Sequence, residues 1–184
     1  TLARIFSVKR YLAIDTSTSR TVVGIVSGSE IHFEKFHEGA TDHGRALTDL
    51  VAQALTHTDQ IDHVVVGMGP GPFTGLRVGI TFARTFALAR NIPVTGVCSL
   101  DAISIAKDDY VVATDARRKE IYWARYQAGV RVDGPHVDKP ADVANYIIGN
   151  YPDALSLVRQ ADRQSVTEPI YLRRPDAVPT AERS

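Results

Sequence analysis

Asp15-Thr16-Ser17-Thr18-Ser19-Arg20 is a dense run of reactive side chains, one carboxylate followed by four consecutive hydroxyls. An Asp at a strand end can hold a divalent cation, and hydroxyls and N–H groups in a turn can hold phosphate oxygens. The same residues have a local use, because Asp, Ser and Thr in a turn bond their own backbone. The residues alone favour the local use. Asp115-Ala116-Arg117-Arg118-Lys119-Glu120 poses the choice again, and a charged hairpin tip is the simpler account of its three cations.

The third candidate is GMGPGPFTGLRVGITFAR, residues 67–84, a Gly-rich turn entering an apolar run. A glycine turn leading into a helix is a common anion site, since helix N-termini present unpaired N–H groups. A Walker A loop needs a lysine, and none lies between Gly67 and Arg84. A dinucleotide loop needs a third glycine, but Gly69-Pro70-Gly71 is followed by Pro72, Phe73 and Thr74. Neither phosphate loop is complete. Among the six histidines no two stand four apart, and His37-Glu38 is followed by Thr41 where a second zinc ligand would be. No metal site and no catalytic set is expected. Cys98 is the sole cysteine, without a CxxC partner, and reads as a small buried hydrophobe.

These groups need elements to place them. YLAIDTS (11–17), TVVGIVSG (21–28) and EIHFEKF (30–36) read as three consecutive antiparallel strands. Leu47, Leu50, Val51, Ala54 and Leu55 recur at helical spacing within 43–57. A buried strand over 63–68, a helix over 74–90 and a strand over 92–97 complete the order βββαβαβ. That order predicts an α/β unit, a mixed sheet covered by helices. A helical connection follows over 98–109, then two strands over 110–126 joined by the charged turn, a short helix over 140–149, and an extended arm PIYLRRPDAVP.

The 74–90 helix carries two apolar faces. Leu76, Ile80, Ala83 and Ala87 form one, Gly75, Gly79, Phe82 and Phe86 the other, with Thr74, Arg77, Thr81 and Arg84 in a narrow polar arc. Two stripes imply burial from two directions. Glycines four apart in a helix interior cost about 1 kcal/mol each against alanine, a cost offset where another helix comes close. Packing inside the chain and packing against a second molecule remain equal alternatives at this point.

The whole chain sets bounds. Its 184 residues carry 21 basic and 21 acidic side chains with pI near 7.0, so no global positive field draws it to nucleic acid. No apolar run approaches a membrane span, and TLARIFSVKR lacks a signal peptide's apolar core. A cytoplasmic protein is expected.

YLAIDTSTSRTVVGIVSG, HGRALTDLV, VVVGMGPGPFTGLRVGITFARTFALA, VCSLDAI, TDARRKEIYWARY and PIYLRRPDA together resemble the TsaB family of bacterial tRNA threonylcarbamoyladenosine biosynthesis proteins, over most of residues 11–178. The resemblance implies an actin-like ATPase (ASKHA) fold, α/β, with a first lobe over 1–104 and a reduced second lobe with a C-terminal arm over 105–184. It implies a non-catalytic partner of TsaD, the subunit that transfers a threonylcarbamoyl group to the adenosine beside the anticodon of tRNAs reading ANN codons. TsaE completes the assembly, tRNA is met indirectly, and a homodimer forms when the chain is alone. No tightly bound cofactor is expected, ATP belonging to the complex. Carried onto this sequence, the partner interface comprises His43, Leu47, Leu50, Thr74, Gly75, Gly79, Phe82 and Phe86. Asp15, Thr16, Ser17 and Thr18 become a degenerate nucleotide hairpin, since Asp15-Thr16-Ser17 and Asp115-Ala116-Arg117 both lack the glycine of the superfamily's D-x-G phosphate motif. Two other readings remain: an independent metalloprotease-like or kinase-like enzyme, and an RNA-binding module using Arg117, Arg118 and Lys119 beside Tyr122 and Trp123.

Overall fold

Apolar side chains on both faces mark a strand for the middle of a sheet covered twice. Leu12, Ala13 and Ile14 in β1 (Arg10–Asp15) and Val64, Val65 and Val66 in β4 (His63–Gly67) are all buried. In the computed structural model, which describes residues 8–173, these two strands lie parallel at the centre of a five-stranded sheet. β2 (Arg20–Ser27) and β3 (Glu30–Glu38) extend it antiparallel on one side, and β5 (Val94–Val97) parallel on the other. The spatial order is β3-β2-β1-β4-β5.

Helices α1 (His43–Leu55) and α2 (Phe73–Arg90) cover one face. Leu47, Leu50 and Val51 of α1 and Leu76, Ile80 and Ala83 of α2 meet Leu12, Ile14, Val64 and Val66 there. The opposite face, with Ala13, Val26, Val65 and Val97, is covered by Ala154, Leu157 and Val158 of α3 (Ala154–Ala161). Asp153 caps α3 by accepting from the Ser156 N–H at 2.8 Å.

A second sheet has four strands, β6 (Asp109–Asp115), β7 (Ile121–Gln127), β8 (Val130–Asp138) and β9 (Tyr146–Ile147), ordered β8-β7-β6-β9. Cys98, Leu100 and Ile103 pack against Val112, Ala124 and Tyr126 and so join the sheets.

Four expectations need correction. The connection over 98–109 is not a helix but one 3-10 turn, Ser99–Ala102, after which Ile103 is extended. The helix over 140–149 is absent: a 3-10 turn at Pro140–Asp142 leads to β9, and Asn145 and Gly149 take positive φ (55° and 93°), which a helix cannot contain. β8 was not anticipated, because Gly134-Pro135 interrupts its alternation; it is an edge strand, where proline removes no ladder bond. Residues 105–184 are not one lobe, since α3 lies on the first sheet and the Val166 and Ile170 N–H groups bond the Gly96 and Met68 carbonyls. The start of TLARIFSVKR and the arm beyond residue 173 lie outside the described residues.

Candidate partner-binding surface

Asp15 ends β1 with its side chain fully buried. One carboxylate oxygen accepts from the Ser17 N–H (2.8 Å) and the Ser17 hydroxyl (2.7 Å), the other from the Ser99 hydroxyl at 2.6 Å. Ser99 Oγ in turn accepts from the Gly69 N–H at 3.1 Å. Burial pushes the Asp15 carboxyl up from its ordinary value, opposed by the Ser99 and Ser17 hydrogen bonds. Thr18 Oγ1 accepts from the Arg20 N–H at 3.1 Å. The hairpin's carboxylate and the hydroxyls of Ser17 and Thr18 are thus engaged by the chain itself, the local use of the motif.

Thr16 makes the most informative contact. Its hydroxyl donates to the Gly75 carbonyl (2.7 Å) and accepts from the Gly79 N–H (3.2 Å), bridging two residues one helical turn apart in α2. A Cβ on Gly75 would stand 2.7 Å from the Thr16 carbonyl oxygen, and one on Gly79 would lie inside contact distance of Thr16 Oγ1. Cβ atoms at Gly67 and Gly71 would likewise collide with Asp15 and with the Ser17 backbone. The hydroxyl hairpin and the Gly-Pro segment are therefore one packed unit.

This corrects the role of the helix glycines, which admit the chain's own hairpin rather than a second helix. Of the eight residues assigned to a partner interface, Gly75, Gly79, Leu47, Leu50 and His43 are buried within the chain. His43 Nδ1 meets Thr21 Oγ1 at 2.9 Å, and burial, then the nearby Arg117 charge, lowers its pKa. Thr74 is exposed, and Phe82 and Phe86 are half-buried with rings stacked 6.0 Å apart. Thr74 and Phe82 border a mostly apolar groove of about 590 Å³ between α1 and α2, lined also by Gly44, Arg77, Thr81 and Thr85, with Leu47 contributing to its wall.

Sequence reasoning missed Ser99, Thr21 and Thr85. Ser99 and Thr21 bond partners 84 and 22 residues away, which no periodicity reports. Thr85 sits in the polar-looking arc beside the groove. Cys98 is buried, with its thiol pushed up to about 12 mainly by desolvation, as expected of an inert core cysteine. Among the described residues no three His, Cys, Asp or Glu side chains could hold a metal together, and no helix is long and apolar enough to cross a membrane.

The second hairpin differs from the first. Ala116 is buried, while Arg117, Arg118 and Lys119 are exposed with φ of 59°, 54° and 61°. The left-handed region costs non-glycine residues about 1–2 kcal/mol each. Backbone bonds Ala116 N–H to Glu120 O (2.9 Å) and Glu120 N–H to Arg117 O (3.1 Å) hold the tip, with the Arg117 N–H on Asp115 Oδ1 at 3.0 Å.

A family model for TsaD, tRNA N6-adenosine threonylcarbamoyltransferase, matches residues 37–177. An uncharacterized Mycobacterium tuberculosis protein is 42% identical over 200 aligned positions, covering 92% of this chain and 94% of the relative. The alignment is longer than this chain, so that relative carries residues absent here. The tRNA threonylcarbamoyladenosine biosynthesis protein TsaB of Escherichia coli is 33% identical over 129 residues, covering 64% of this chain and 55% of that protein. The chain thus spans about half the length of that relative. A crystal structure from Pseudomonas aeruginosa, described as similar to the peptidase YeaZ, superposes with a TM-score of 0.76 at 23% identity, over 90% of this chain and all of that one. The shared architecture is the actin-like α/β fold.

Proposed function

From the premise that this chain belongs to the TsaD family and is of the TsaB type within it, we propose that it is a non-catalytic subunit of the assembly that adds a threonylcarbamoyl group to the adenosine beside the anticodon of ANN-decoding tRNAs. The observation that carries the non-catalytic reading is the engagement of Asp15 by Ser17 and Ser99 and of Thr16 by Gly75 and Gly79. With Asp15 buried and bonded within the chain, and Thr16 and Ser17 bonded likewise, the hairpin does not present its carboxylate to Mg²⁺ or these two hydroxyls to a phosphate. ATP is then handled by TsaD and TsaE, and this chain acts through its surface in the cytoplasm.

The surface is the α1/α2 groove around Phe82, Thr81 and Thr85. Half-buried aromatics beside small polar residues suit a third helix laid between two, with Phe82 as the buried anchor. TsaD takes that place, and without it a second copy of this chain can use the same groove.

Reconstitution tests the reading. TsaD and TsaE supplied with threonylcarbamoyl-adenylate as donor, ATP and an ANN-decoding tRNA are expected to form the modified nucleoside, by nucleoside mass spectrometry, only when this chain is added. The chain alone is expected to hydrolyse neither ATP nor peptide bonds. Modification that ignores the chain, or a hydrolase activity abolished by Asp15→Ala in a variant that still folds, would overturn it.

A further inference from the structure

We infer that the tip of the β6–β7 hairpin, Arg117 and Lys119 above all, contacts the phosphodiester backbone of the RNA substrate directly. The inference rests on the proposed role in tRNA modification, which supplies the polyanion but assigns no contact to this chain.

The chain is electrically neutral, so a local excess of charge is a feature of place. At this tip Arg117, Arg118 and Lys119 are consecutive and exposed, and Arg173 stands beside them. Two carboxylates are near, and both are engaged. Asp115 Oδ1 accepts the Arg117 N–H, and Glu120 pairs with Arg173. Arg118 has an interaction of its own, so Arg117 and Lys119 carry the proposal. Neither has a side-chain ion pair among the described residues.

The opposite wall also favours an anion. α2 begins at Phe73 without a side-chain cap and without an acidic residue in its first turn. Its first turn and Arg117 line one cleft of about 590 Å³, with His43 in the wall and Arg173 at the rim. A smaller cavity of about 240 Å³ shares Pro72 and Arg117 with that cleft and is lined by Thr114, Thr18 and Asn150. Thr114 is 6% exposed, and its hydroxyl has no hydrogen-bond partner. Strand alternation puts it on the face of β6 that Val112 turns toward Cys98 and Leu100. A buried hydroxyl without a partner next to a cationic tip and an uncapped helix start points to a polar, anionic occupant.

Its form follows from exposure. A free nucleotide is held by enclosure, whereas Arg117 and Arg118, which border the cleft, and Lys119 beside them are exposed. A polyanion needs no enclosure, because each exposed cation acts by displacing condensed counterions. The backbone bonds of the tip fix where the side chains leave the turn, so only the side chains themselves are ordered on meeting phosphates.

The test uses glycine, which accepts positive φ while removing the charged side chains, and reads the loss of charge from the salt dependence. The double variant Arg117→Gly/Lys119→Gly is expected to melt no lower than the parent chain and to bind TsaD equally. Assembled with TsaD and TsaE, it should bind an ANN-decoding tRNA transcript more weakly, with the slope of log affinity against log salt reduced by about 2. Lys119→Arg, which keeps the charge, should leave that slope unchanged. An unchanged slope and affinity in an active assembly overturns the contact while sparing the proposed function. Weakened TsaD binding overturns it too, by making the tip a site for an acidic protein surface. If the parent chain neither joins TsaD nor supports modification, the functional reading itself has failed.

Discussion

Asp15 and Thr16 decide what the first hairpin is. Three donors converge on the Asp15 carboxylate, so Asp15→Ala leaves buried donors unpaired and should destabilise the chain by about 3 kcal/mol in chemical denaturation. Asp15→Asn keeps an acceptor for Ser17 and should lose less. Gly79→Ala places a methyl against Thr16 Oγ1 and should cost about 1–3 kcal/mol. In a Thr16→Ala background that oxygen is gone, so the same change should cost measurably less, a non-additive cycle. Additive costs would mean that the two residues do not meet. Two histidines supply a pH dependence. Burial holds the pKa of both His43 and His63 below the ordinary 6.5. A depressed histidine contributes stability that is complete above 6.5 and lost as pH falls toward the folded value, because the unfolded chain takes up the proton first. The melting temperature should therefore drop below pH 6.5, and less steeply in His63→Gln. A melt rising in that window would contradict the assignment.

At the scale of elements, what the sequence could report was set by how local the signal was. The first lobe was legible because each element announces itself over a few residues: Leu12 and Ile14 against Ala13, Leu47 and Leu50 with Val51, Leu76 with Ile80. The same periodicity found the second face of α2 but could not say what fills it. A gap left by Gly75 and Gly79 looks identical whether the occupant is another helix or a threonine more than fifty residues earlier. α3 was invisible for another reason, since two turns give too few repeats and its core partners lie on strands over fifty residues back. β8 hid behind Gly134-Pro135. The two faces of α2 now differ in expected behaviour. Ile80→Ala should destabilise by about 2–5 kcal/mol, as a buried core truncation does, whereas Phe82, half-buried at the groove, should lose less stability on truncation to Ala and more partner affinity. Equal losses of stability would place Phe82 in the core.

For the whole molecule, three elements from distant parts of the chain surround one sheet, and the side carrying α3 is closed by it. The α1/α2 side keeps an open groove, which is why assembly is assigned there. The central claim is that this groove binds TsaD, and Thr85→Arg tests it most directly. Thr85 is exposed, so a large charged side chain there should leave the melting temperature of the isolated chain unchanged while obstructing the groove. The dissociation constant for TsaD is the measurement. The account predicts a rise of at least about tenfold, equivalent to 1.4 kcal/mol; an unchanged constant in a normally folded variant would contradict it.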